Sequence, residues 1–177
     1  MIDLFIAAVR RISLLCGIVA ACMFAVSIAI VCQLVFMRYV LNESTIWQTE
    51  LVTYLMLSAT LIGMPYVQSL RGHVNVDLLP IYLRGRSRFA LALGSKLLAL
   101  GVCLLLAVYG YEFWYEAWDW GEVSDTVWGV PLWRPYLSMP VGFGLMSLQL
   151  VADLLALVTG RDHPFGLEPG KETRAVH

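Results

Sequence analysis

Few ionisable side chains fall inside the long apolar stretches of this chain: Glu50, Lys96 and Asp153, with Arg38 just past the end of the first stretch. A charge at a helix centre in hydrocarbon costs roughly 2.5–3.5 kcal/mol, so each such group needs a partner or a task. Glu50 could shuttle a proton in coupled transport, or it could accept hydrogen bonds at a membrane boundary. Trp47, Glu50 and Tyr54 recur at i, i+3 and i+7 and therefore share one helix face. Arg38 is a short loop away, so the expected arrangement is an Arg38–Glu50 ion pair beside an aromatic anchor. Lys96 can snorkel toward the near boundary, and Asp153, at a similar depth, is its expected partner.

Other chemistries lack their residues. His73 and Asp77, in Arg71-Gly72-His73-Val74-Asn75-Val76-Asp77, have no third or fourth ligand nearby and read as a hydrogen-bonded turn. Axial haem ligation needs histidines inside spans, and His73, His163 and His177 all lie outside them. Cys16, Cys22, Cys32 and Cys103 form no C-x-x-C pair and read as small apolar packing residues. With no nucleophile–base pair, phosphate loop or zinc motif, the reading is of a chain that is not an enzyme and takes no cofactor or metal.

The elements that would position these residues are four apolar runs. The chain has 177 residues, of which 59% are hydrophobic and only 14% charged, and its mean hydropathy is +0.73. A soluble domain averages about 25% charged residues. A soluble enzyme, a nucleic-acid binder and a disordered protein are thereby excluded. Ile12 to Met37 carries no charge, while Ile46 to Leu70, Phe89 to Tyr111 and Pro135 to Thr159 carry one each. Roughly 20 helical residues cross a bilayer core. The spacing therefore predicts an all-α integral membrane protein, an antiparallel bundle with spans over 12–37, 46–70, 89–113 and 135–159. The first run is too long, and lacks the cleavage site, for a signal peptide.

Positive charge orients the bundle. Arg10, Arg11, Arg71, Arg84, Arg86, Arg88, Arg161, Lys171 and Arg174 fall on one side, against Arg38 and Arg134 on the other. By the positive-inside rule both termini are expected in the cytoplasm, with a disordered cytoplasmic tail over 160–177. The outer side then holds all six tryptophans and an acidic stretch of Glu112, Glu116, Asp119, Glu122 and Asp125. That composition suits an aromatic belt in the bilayer interface or a docking surface for an outer partner. Gly121, Gly129 and Pro131 should break the third helix, and Pro65 and Pro140 are candidate kinks. Small residues four apart mark candidate packing faces, within the bundle or against another membrane subunit: Gly17, Ala21, Ala25 and Ala29 in the first span, Ala59 and Gly63 in the second, and Ser95, Ala99, Cys103 and Ala107 in the third.

One combination is more specific. Arg38-Tyr39, Trp47-x-x-Glu50-Leu51 with Tyr54, Gly63, and Arg71-Gly72-His73-Val-x-Val-Asp77 occur in that order. A later segment reads Pro131-Leu132-Trp133-x-x-Tyr136-x-x-x-Pro140-x-Gly142-Phe143. Together, over roughly residues 15–157, these resemble the small, DctQ-like membrane subunit of tripartite ATP-independent periplasmic (TRAP) transporters. Many members have two adjacent acids after the tryptophan, where this chain has Gln48, Thr49 and a single Glu50. The resemblance implies a bacterial inner-membrane protein that partners a large permease subunit and a periplasmic substrate-binding protein. It implies sodium-coupled import of small organic anions, with this subunit scaffolding the large one and holding neither substrate nor sodium. Arg38, Trp47, Glu50, Tyr54, Gly63, His73, Asp77, Trp133, Pro140 and Gly142 are its candidate structural or partner-contact residues. The competing reading is a small proton-coupled homodimeric exporter that uses Glu50.

Overall fold

In hydrocarbon every backbone N–H and C=O must be satisfied within its own segment, so continuous apolar runs cross as helices. The computed structural model describes residues 2–42, 47–70, 86–126 and 128–159. Within them, α1 covers Ile2–Val40, α2 Trp47–Ser69, α3 Arg86–Asp119, α4 the single turn Trp133–Tyr136, and α5 Ser138–Val158. Four helical stretches, Trp133–Val158 being the last, are long and apolar enough to cross a membrane. This is the four-helix, all-α architecture that the sequence predicts. Residues 160–177, with the expected tail, lie outside the described residues, as do His73 and Asp77.

The helices outrun their apolar stretches because nothing breaks them at the boundary. At 1.5 Å per residue, α1 with 39 residues is about 58 Å long. With 34 residues, α3 is about 51 Å long. Both exceed a core of about 30 Å. The last turns of α3 are closed by glycine: Gly121 has φ +62, its N–H donates to the Trp118 carbonyl, and the Glu122 N–H donates to the Ala117 carbonyl at 3.1 Å. That pair of bonds is a Schellman cap, which needs the left-handed residue that glycine supplies. The final span is interrupted at Leu137. Pro140 has no N–H for the Tyr136 carbonyl and its ring crowds that oxygen, so the helix restarts there. Pro65 lies inside α2, whose helix continues past it to Ser69.

Neighbouring contacts give the topology. Gly17 faces Tyr66 and Gly63 faces Ala20, so α1 and α2 are antiparallel. Lys96 reaches Asp153 and Gly110 faces Met139, so α3 and α5 are antiparallel too. In contrast, α2 and α5 run parallel: Leu61 meets Gly142 and Gln68 meets Asp153. The α2–α5 pair is central, α1 lies against both, and α3 leans chiefly on α5.

Within the chain, the packing face of α1 takes only Gly17 from its four-residue stripe. Val9, Ser13, Cys16, Ala20 and Ser27 are buried, whereas Ala21, Ala25 and Ala29 are exposed. Four residues turn a helix by about 400°, so a strict i+4 series drifts about 40° per step and leaves the contact face. Steps of three and four alternate on a true face. On α3 the same drift leaves Ser95 exposed, and the face runs through Cys103, Ala107, Gly110, Trp114 and Ala117.

Candidate functional site

Two polar constellations stand out, one at each end of the bundle. The first is at the end where α2 begins and α3 finishes, the tryptophan end. The loop after α3 closes on itself: the Ser124 N–H donates to the Val130 carbonyl at 2.9 Å, and the Leu132 N–H donates to the Glu122 carbonyl at 3.0 Å. A lone antiparallel bridge pairs Val123 with Pro131, and Gly129, with φ +58, makes the turn.

Glu50 pins this loop. Its carboxylate accepts the Tyr54 hydroxyl at 2.6 Å and the Thr126 hydroxyl. The Ser124 hydroxyl also faces it and lies 3.0 Å from that of Thr126. An ionised carboxylate only accepts, and its lone pairs suit several hydroxyl donors at once. Trp47 and Trp128 meet alongside, with ring centroids 6.1 Å apart. The arrangement can hold a loop in place over the first turn of α2.

The expected Arg38–Glu50 pair does not form. Arg38 is exposed in the last turn of α1, and among the described residues no ion pair joins it to Glu50. The physical reason is competition: the Tyr54 and Thr126 hydroxyls already donate to the carboxylate, while a hydrated guanidinium already suits a helix C-terminus. Two aromatic pairs join α3 to α4. Phe113 packs on Tyr136 at 4.7 Å, Trp118 meets Trp133 edge-on at 4.6 Å, and the Arg134 guanidinium lies 5.6 Å over the Trp133 ring. Glu112, Glu116, Asp119, Glu122 and Asp125 are exposed around this end.

The second constellation is at the opposite, basal end. Asp153 on α5 accepts Gln149 Nε2 at 2.9 Å and Gln68 Nε2 from α2 at 3.1 Å. Gln149 in turn accepts the Ser13 hydroxyl of α1 at 2.7 Å. Ser13 and Gln149 are 2% and 1% exposed, so the bond between them has no competition from solvent. Lys96 on α3 donates to the main-chain carbonyl of Asp153 at 3.3 Å. The expected Lys96–Asp153 contact therefore exists through the backbone, and the carboxylate itself is taken by two carboxamides.

The other candidates are packing positions. A Cβ on Gly63 would lie 3.2 Å from that of Ala20, and one on Gly142 would lie 2.7 Å from the Leu61 carbonyl oxygen. Pro140 borders the contact between Gly110 and Met139. Sequence reasoning missed Ser13, Gln68, Gln149, Ser124 and Thr126. A carboxamide one turn before Asp153 in an apolar helix was a readable signal; the two loop hydroxyls gave none. Among the described residues no group of three or more His, Cys, Asp or Glu could hold a metal ion.

Comparison with known proteins agrees with this architecture. The family described as "Tripartite ATP-independent periplasmic transporters, DctQ component" matches residues 27–160. The chain is 22% identical over 148 residues to the C4-dicarboxylate TRAP transporter small permease protein DctQ of Vibrio cholerae, covering 72% of this chain and 64% of that protein. It is 24% identical over 125 residues to the ectoine TRAP transporter small permease protein TeaB of Halomonas elongata, covering 71% and 64%. The matches thus span 64% of the length of each relative.

Proposed function

The chain belongs to the DctQ-component family of tripartite ATP-independent periplasmic transporters, and on that premise we propose that it is a non-catalytic scaffold for a larger permease subunit. The family is a transporter component and not an enzyme, and the chain is a multi-pass inner-membrane protein. The proposed assembly imports small organic solutes, chiefly anions, under a sodium gradient, with a periplasmic protein delivering the substrate. C4-dicarboxylate and ectoine are the solutes named for the two relatives.

One observation carries the scaffold reading: Glu50 and Asp153, the two carboxylates within the apolar runs, are each held by neighbouring side chains. Glu50 holds a loop, and Asp153 holds two carboxamides. Neither group is offered to a solute. An exporter working through Glu50 would need that carboxylate released on each cycle. Long apolar faces of α1 and α3 are exposed, with Leu15, Ile18, Leu98 and Leu105 among them. That suits a helix pair set between lipid and a larger membrane partner.

In this reading both termini are cytoplasmic, as the arginine distribution argues. The tryptophan end then faces the periplasm. There Arg38 and the exposed acidic residues would meet the binding protein. The test is complementation: cells with the large subunit and the binding protein but without this chain should not import, and expressing it should restore uptake. Glu50→Gln should support uptake that still depends on the other two subunits. Uptake or efflux by this chain alone in vesicles, abolished by Glu50→Gln, would contradict the scaffold reading.

A further inference from the structure

Apolar helix surfaces are almost indifferent between lipid tails and each other, so they do little to choose one register over a neighbouring one. The close contacts along the middle of this bundle are of that kind: Gly63 against Ala20, and Gly142 against Leu61. Three hydrogen bonds between the long helices lie in the basal layer, where Asp153 and its neighbour Gln149 together reach α1, α2 and α3. Asp153 Oδ1 takes the α5 carboxamide of Gln149. Its Oδ2 takes the α2 carboxamide of Gln68. Gln149 carries the chain of bonds on to Ser13 of α1, and the Asp153 carbonyl takes Lys96 of α3.

We propose that this layer is the register key of the bundle, with Asp153 as its hub and two separable branches. The side-chain branch, through Gln149 to Ser13, sets α1 on the α2–α5 pair. The main-chain branch, through Lys96, sets α3 on α5. A slide of α1 by one turn moves Ser13 away from Gln149 and leaves a buried carboxamide oxygen and a hydroxyl unsatisfied. A slide of α3 takes Lys96 away from the Asp153 carbonyl. Polar groups kept inside an apolar bundle fix register and partner choice in this way even where apolar substitutes pack as well. The inference is independent of the transport reading.

Disulfide trapping in native membranes tests it on the full chain with Cys16, Cys22, Cys32 and Cys103 replaced by alanine. Ala20→Cys with Gly63→Cys reports the register of α1 on α2, and Gly110→Cys with Met139→Cys reports α3 on α5. In both pairs the Cβ atoms would be 3.2 Å apart. Gln149→Leu should lower trapping of the 20/63 pair by about fivefold, as loss of one interhelical bond allows, and spare the 110/139 pair. Lys96→Met should do the reverse. Asp153→Ala should behave like Gln149→Leu, because Lys96 uses the main chain of Asp153. Equal trapping in all variants, or equal loss at both pairs in each, overturns the proposal. If Asp153→Ala does not accumulate, Ser13→Ala decides: selective loss of the 20/63 pair supports the key, and unchanged trapping refutes it.

Discussion

The Thr126 hydroxyl donates to the Glu50 carboxylate across 76 residues of sequence, tying the loop after α3 to the first turn of α2. Tyr54, one turn further along α2, donates to the same carboxylate. Glu50→Ala should therefore release the loop. Amide exchange at Ser124 and Leu132, whose N–H groups close the loop, should accelerate several-fold in detergent micelles. Glu50→Gln, which keeps one acceptor oxygen, should fall between. Unchanged exchange in Glu50→Ala would show that the loop holds itself.

Gly142 and Gly144 make a matched pair of sites. A Cβ at Gly142 would meet the Leu61 backbone, whereas one at Gly144 meets nothing within 4 Å. Gly142→Ala should separate α2 from α5 and cost about 1–3 kcal/mol by overpacking. Gly144→Ala should be neutral or stabilise by up to about 1 kcal/mol through helix propensity. Thermal unfolding in one detergent would rank the two. Equal midpoints would mean that the helices part without strain.

The edge-on contact between Trp118 and Trp133, with centroids 4.6 Å apart, should carry a coupling of about 0.5–1.5 kcal/mol. A double-mutant cycle with Trp118→Leu and Trp133→Leu measures it. Additive effects would reduce this contact to two independent interfacial anchors.

Arg38 is exposed and unpaired with Glu50. Arg38→Glu should leave the unfolding midpoint unchanged and lower uptake when the binding protein is limiting. Normal uptake would remove Arg38 from the proposed docking surface. Orientation is read separately: Asp125→Cys, in a chain otherwise free of cysteine, should react with an impermeant maleimide added to spheroplasts. Protection there, with labelling only after lysis, would invert the bundle.

The helices were legible because charge is excluded from hydrocarbon: the uncharged run Ile12 to Met37 admits little else. The shared face of Trp47, Glu50 and Tyr54 was legible too, since it follows from helical period alone. The partner of Glu50 was not. Arg38 was near in sequence and opposite in charge, but Thr126 reaches the carboxylate from a distant loop, with the Ser124 hydroxyl beside it. The contact face of α1 within the bundle was not legible from its small residues, since a four-residue period drifts off a 3.6-residue helix. For Asp153 the sequence supplied the cation at similar depth, Lys96, but not the two carboxamides that hold the side chain.

The central claim is that this chain works as a subunit within a larger permease. Purification of the tagged chain from its native membranes in mild detergent, with quantitative mass spectrometry of what accompanies it, tests that most directly. A large multi-span permease subunit should accompany the chain at near-equal amounts. Recovery of the chain by itself, or only as a homodimer, would contradict that claim.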